Sequence, residues 1–245
     1  MAAKIIALGS GKGGVGKTTV ALNIGFAIAS LNKKVLVVDT DISLPNLDLY
    51  TGLEKPLITL LEVLNGTSDV QSAIYTIQMG LDILPCGSSL QALQNVDLDK
   101  LGNVISELKD SEYELIILDI PAGLSKLSML PMTYSDEVIL IVNPDPASIS
   151  DAQKVKAATA LAGISVTGII VNKYKKSVYN DIGIKLGLPV LGLIPQDEAI
   201  IKARDARKPL ILLKPGSSSA KAIMKISKKI CGIPEKKSIF QRFIR

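Results

Sequence analysis

Polyphosphate chemistry is written most plainly into Gly11-Lys12-Gly13-Gly14-Val15-Gly16-Lys17-Thr18-Thr19. Glycines leave backbone N–H groups able to turn inward around phosphate oxygens, and the positive end of a following helix favours negative charge there. Lys17 is placed to neutralise the β- and γ-phosphates, and Thr18 to offer its hydroxyl to Mg2+. The apolar run Ile5 to Leu8 leads into the loop and a helical pattern, Thr18 to Leu31, leads out of it. That strand–loop–helix context separates a working phosphate loop from a chance glycine turn. Lys12 puts a second cation on the same loop, more than one set of phosphates normally receives. The expected ligands are ATP and Mg2+.

Magnesium needs a carboxylate besides Thr18. Asp119 follows Leu115-Ile116-Ile117-Leu118, and Asp39 and Asp41 follow Val35 to Val38. In an open parallel sheet such strand ends share one carboxyl-terminal edge with the loop. Thr18, Asp39 and Asp119 are the candidates for the metal, and one of the acids could position the attacking water. A single acid can merely end a strand, but three beside a phosphate loop are poorly explained that way. With no histidine in the chain, the usual general base is missing, and chemistry must rest on Asp, Lys and backbone. Cys86 and Cys231 lie far apart and form no CxxC pair, so they read as structural thiols.

The elements that must position these groups show as short Ile/Val/Leu runs alternating with amphipathic stretches. The apolar runs are Ile5 to Leu8, Val35 to Val38, Leu81 to Leu84, Leu115 to Leu118, Val138 to Val142, Gly168 to Val171 and Val190 to Ile194. They read as buried parallel strands. Helical patterns cover Thr18 to Leu31, Asp97 to Leu108, Ser148 to Leu161, Tyr179 to Leu186 and Ser218 to Ile230. The alternation predicts an α/β fold, a single doubly wound, mainly parallel sheet flanked by helices. At 245 residues and 47% apolar, the chain fits one such domain, residues 1–232, followed by a linker and tail, 233–245. No apolar run approaches the roughly 18 residues that cross a bilayer, and Met1-Ala2-Ala3-Lys4-Ile5 lacks a signal-peptide core, so a cytoplasmic protein is expected.

These residues resemble the deviant Walker A ATPases, the MinD/ParA family of P-loop proteins that also includes the nitrogenase iron protein. The marker is Lys12 within Lys12-Gly13-Gly14-Val15-Gly16-Lys17-Thr18-Thr19. The resemblance is greatest to the MinD branch, over nearly the whole chain. It implies that Lys12 reaches across an ATP-sandwich homodimer to the partner's phosphates, with Lys12, Lys17 and Asp41 as the catalytic set. Asp39-Thr40-Asp41-Ile42-Ser43-Leu44-Pro45-Asn46-Leu47-Asp48 is similar to the MinD switch I, which implies that Asp41 orients the hydrolytic water and Asn46 follows the nucleotide. Pro45 stands where bacterial MinD often has Arg. Asp119-Ile120-Pro121-Ala122-Gly123 is similar to switch II, which implies a γ-phosphate-sensing N–H at Gly123. Val142-Asn143-Pro144, Val171-Asn172-Lys173 and Ile194-Pro195-Gln196-Asp197 resemble later motifs, and Asn172, Pro195 and Asp197 are the implied base-binding residues.

Charge is concentrated at the end of the chain: from Lys221 onward there are eight basic residues and one acidic (+7), against 20 basic and 22 acidic before it (−2). MinD-like chains commonly finish in a membrane-docking amphipathic helix, and Lys236 to Arg245 is similar to it. Ile239, Phe240, Phe243 and Ile244 fall on one helical stripe, with Lys236, Lys237 and Arg245 available to anionic headgroups. The expectation is ATP-dependent dimerisation, peripheral attachment to the cytoplasmic face of the membrane, and release on hydrolysis stimulated by a protein partner, in the positioning of cell division. A ParA-type partitioning ATPase would instead bind DNA without sequence preference through Lys173, Lys175, Lys176, Lys202, Arg204 and Arg207. The apolar tail stripe argues against DNA as the partner. A flagellar-placement relative of MinD would use the same residues, whereas a metal-cluster carrier would need a cysteine pairing that Cys86 and Cys231 do not supply.

Overall fold

A computed structural model describes residues 2–89, 96–175 and 181–234. Its centre is an eight-stranded sheet in the order β3-β4-β2-β5-β1-β6-β7-β8. The strands are β1 (Lys4–Gly9), β2 (Val35–Asp39), β3 (Tyr75–Thr76), β4 (Asp82–Leu84), β5 (Leu115–Asp119), β6 (Glu137–Val142), β7 (Val166–Tyr174) and β8 (Val190–Pro195). All neighbours pair parallel except β3, which runs antiparallel to β4 at the edge. The expected doubly wound, mainly parallel sheet is therefore present.

The strands read as unbroken apolar runs because both faces are covered. Alternate residues feed two cores. Ile5, Ala7, Leu36, Val38, Ile116 and Leu118 face one side, with α3 (Leu60–Leu64), α4 (Leu101–Lys109) and α6 (Pro146–Leu161). Ile6, Leu8, Val37 and Ile117 face the other, against α1 (Lys17–Ala29) and α10 (Ser218–Ile230). Helix α1 is buried continuously from Val20 to Ala29, between the sheet and its helical neighbours, so apart from the hydrogen-bonded Asn23 that stretch is apolar all round rather than striped. The approach of α10 to β8 is close enough that a Cβ on Gly192 would lie 2.2 Å from Ile226 Cγ1, which only glycine permits.

The remaining helices are α2 (Leu47–Thr51), α5 (Lys126–Thr133), α7 (Ile182–Leu186), α8 (Glu198–Asp205) and α9 (Leu210–Leu213). The pattern expected over Asp97 to Leu108 splits into a 3-10 turn, Leu98–Lys100, and α4. Of the helix expected over Tyr179 to Leu186, the part before residue 181 lies outside the described residues, as do Lys176 and the tail residues Ile239, Phe240, Phe243 and Ile244. Among the described residues no helix is long and apolar enough to cross a membrane.

Candidate functional site

The strand order places β1 at the centre, between β5 and β6, so the loop from Ser10 to Gly16 opens at the carboxyl edge of the sheet. Gly14 and Gly16 take φ of 74° and 94°, left-handed values that other residues adopt at a cost. Gly16 meets a second constraint, since a Cβ there would lie 2.6 Å from Asn172 Nδ2. Asn172, buried at the end of β7, donates that amide to Val15 O at 2.7 Å. Its neighbour Lys173, a non-glycine residue at φ 53°, donates Nζ to Gly14 O at 2.8 Å.

These two contacts orient the loop. In a trans peptide the carbonyl and the following N–H point opposite ways. Carbonyls of Gly14 and Val15 drawn toward β7 therefore turn the N–H groups of Val15 and Gly16 away from it. The space where Cβ atoms of Gly13 and Gly14 would stand is open to at least 4 Å. Helix α1 starts at Lys17 with no side-chain cap, leaving its first N–H groups for an anion. Fully buried Ser10 ties the loop's other limb by donating Oγ to Lys12 O at 2.9 Å.

The carboxylates stand level with one another: Asp39 and Asp119 are register partners on β2 and β5, and Asp119 is also level with Leu8 of β1. Asp119 is buried, and its Oδ1 has no hydrogen-bond partner. Burial pushes its carboxyl up to about 6, while the Lys17 ammonium and the Thr18 hydroxyl pull it back. Burial pushes Asp39 up to about 8, with repulsion from Asp119 added. Opposing this, Asp39 accepts backbone N–H groups from Asp41 at 2.9 Å and from Asn46 and Leu47 at 3.2 Å each. An orphan buried carboxylate oxygen beside a threonine hydroxyl and a lysine, at the foot of an open glycine cradle, fits a Mg2+–polyphosphate. Thr18 and Asp119 are the groups free to hold the ion. Both Asp39 oxygens accept backbone N–H groups, so Asp39, expected at the metal, also anchors the 41–47 segment to the sheet.

Asp41 lies half-buried in that segment and accepts the Leu44 N–H at 3.1 Å, and Asn46 donates Nδ2 to Leu44 O at 2.6 Å. Gly123 donates its N–H to Ser10 O at 2.9 Å, and its carbonyl accepts the Ser128 hydroxyl at 3.0 Å, which joins the expected sensor directly to the loop. Lys12 points along another line. Its Nζ is 3.7 Å from Asp145, the residue that caps α6 by accepting the Ser148 N–H at 2.9 Å. Pro195 and Asp197 sit one strand beyond the braces on β7. Gln196 donates its N–H to Tyr174 O, and Asp197 caps α8 while accepting from Ser218 and Ser219 of α10. The structure thus gathers the loop, Asp39, Asp41, Asn46, Asp119, Gly123 and Asn172 at one edge. Ser10, Asp145 and the loop contact of Lys173 escaped sequence reasoning. Only Asp145 carried a local signal, the Asp-Pro start of a helix.

Residues 3–162 match the family of AAA domains. An ATP-binding protein of Methanocaldococcus jannaschii whose role is uncharacterised is 38% identical, over 98% of this chain and 95% of its own. The structure of the septum site-determining protein MinD of Pyrococcus horikoshii complexed with Mg-ADP superposes with a TM-score of 0.88 at 34% identity, covering 96% of this chain and 100% of that one. A chain of the MinC:MinD cell division protein complex of Aquifex aeolicus gives a TM-score of 0.85 at 32% identity, covering 96% of this chain and 99% of that one. With the cradle, the second loop lysine and this likeness over nearly its full length, the chain belongs to the MinD/ParA family of P-loop ATPases.

Proposed function

We propose that the chain hydrolyses ATP with Mg2+, forms a homodimer when ATP is bound, attaches peripherally to the cytoplasmic face of an anionic membrane through residues 236–245, and leaves it after hydrolysis. Its role would be the spatial positioning of cell division, as the likeness to septum site-determining proteins suggests, with a protein partner stimulating turnover. The observation that carries the reading is Lys12: it sits on the phosphate loop, half-exposed, with its Nζ against Asp145, the cap of α6. A cation held there is available to the polyphosphate of a second copy.

Within one protomer, Lys17 and the N–H groups of Val15 and Gly16 take the phosphate charge. Asp41 orients the attacking water, and the 41–47 segment is held for that task by Asp39. Magnesium, when bound, supplies charge neutralisation on the phosphates and is held by Thr18 and Asp119. Each basic tail residue near an anionic surface is worth about 1 kcal/mol. One tail therefore binds weakly, while two on a dimer gain on the order of 10²-fold or more by avidity.

The test is size exclusion and liposome flotation of the Asp41→Ala variant with ATP. A variant that dimerises and floats but does not turn over supports the reading. Equal flotation of the wild-type chain with ADP and ATP contradicts it.

A further inference from the structure

Beside the end of the described chain lies a groove of about 650 Å³, lined by none of the phosphate loop's residues and unused by the function above. Its floor is apolar, with Met79, Ile211 and Met224, and its rim carries Lys221, Lys225 and Lys228. Among the described residues lining it there is no acid. The pattern follows from α10, where Ala220, Ile223 and Ile226 are buried toward the sheet. Residues 221, 224, 225 and 228 then share the outward face at i, i+3, i+4 and i+7 spacing.

Two further observations point to what fills it. Met79 is held at φ 62°, a left-handed conformation that a non-glycine residue adopts only at a cost, and is more than a third exposed. A strained turn thus presents a flexible, polarisable side chain to the groove, the kind that packs against irregular apolar partners. Pro234 stands on the rim itself, so the eleven residues 235–245 depart from the groove's edge. Even fully extended they reach no more than about 40 Å.

We infer that this groove is a second lipid contact, in which Lys221 and Lys228 hold the phosphate of an anionic phospholipid and the floor takes the apolar part next to it. The inference rests on the membrane reading proposed above, because a tail lodged in the bilayer keeps the groove at an effective lipid concentration high enough for a weak site to fill. Duplex DNA is the other polyanion such lysines could meet, but backbone phosphates call for charge alone and leave the apolar floor without a role.

The chain contains no tryptophan, so Met224→Trp gives a fluorescent reporter on a silent background. With ATP and phosphatidylglycerol vesicles, its emission is expected to shift to the blue and to be quenched by brominated phosphatidylglycerol. Neutralising both lysines, K221Q/K228Q, should weaken vesicle binding by about thirtyfold, at about 1 kcal/mol per lysine, with basal ATPase turnover unchanged. If the wild-type chain floats but the reporter is unmoved, or K221Q/K228Q floats as well as wild type, the groove inference is overturned and the tail reading stands. Loss of an ATP-dependent duplex DNA shift in K221Q/K228Q, with flotation intact, overturns it in favour of a nucleic-acid surface. If the wild-type chain does not float at all, the membrane reading fails and this inference with it.

Discussion

Asn172 Nδ2 donates to Val15 O at 2.7 Å and occupies the space into which any side chain at Gly16 would project, at 2.6 Å from the missing Cβ. One amide on β7 therefore both sets the carbonyl direction of the phosphate loop and requires glycine at the loop's last position. Shape and orientation of the anion site are tied to a residue more than 150 positions away.

Removing that amide should be felt as lost nucleotide affinity. Asn172→Ala leaves the buried Val15 carbonyl without its donor, a cost of about 1–3 kcal/mol. The expected result is ATP binding weaker by roughly 10- to 100-fold with the fold retained, read by titration calorimetry and circular dichroism. Unchanged affinity would mean the loop holds its own orientation.

Gly16→Ala should be worse than Asn172→Ala, since it meets both a φ of 94° and the 2.6 Å contact. The double variant, Gly16→Ala with Asn172→Ala, removes the contact but not the backbone strain. It should recover part of the thermal stability lost in Gly16→Ala alone. Strictly additive melting temperatures would show that the two positions do not touch.

Lys12 and Lys17 should separate binding from assembly. Lys17→Ala is expected to abolish nucleotide uptake. Lys12→Ala should bind ATP as a monomer yet fail to dimerise, with turnover lower on the order of 10³-fold, the scale of a charge supplied in trans. Asp145→Asn keeps the α6 cap while removing the partner of Lys12. An exposed pair is worth at most about 1 kcal/mol, so its release should lower the ATP concentration for dimerisation by up to about fivefold. A monomeric Asp145→Asn at saturating ATP would contradict the exchange of partners.

Much of this site could be read from residues alone, for identifiable reasons. The loop, its flanking strand and helix, and the acids at strand ends are each local patterns, and a parallel sheet brings local patterns to a common edge. The helix Leu60–Leu64 carries a local signal that the reading of the sequence leaves unused: Thr59 donates its N–H to Glu62 at 2.9 Å in a capping box with Thr-x-x-Glu spacing at the start of α3. Strand β3, with Tyr75 and Thr76 alone, is too short to show any period. The contacts Lys12–Asp145 and Lys173–Gly14 depend on which strands become neighbours in space, and no spacing encodes that. Asp39 illustrates the boundary: its place at a strand end was readable, but its capture by three backbone N–H groups follows from the path of the loop after it.

The same pair of acids gives the protein a predictable response to pH. Burial raises Asp39 and Asp119 from an ordinary 3.8 to about 8 and about 6. Carboxyls raised in the folded state favour folding when protonated. Their contribution is full below about pH 4 and is lost as pH climbs through 6 to 8. No histidine titrates in that window, and the carboxyls of Asp69, Glu114, Asp136 and Asp197 are lowered, so their losses fall at more acid pH. Without nucleotide, the melting temperature should therefore fall between pH 5 and 8, on the order of 10–20 °C for a chain of this size. Asp39→Asn removes the charge but turns its NH2 toward one set of the N–H groups that Asp39 accepts, so it should show a flatter profile between pH 5 and 8 at some cost in stability at every pH. The same pair makes binding of Mg–nucleotide release protons, because a cation at Asp119 favours the ionised form. Calorimetry in two buffers of different ionisation enthalpy at pH 7 reads that release. A wild-type profile flat from pH 5 to 8, matched by Asp39→Asn, would show that the two carboxyls do not share the buried edge in the way their register implies.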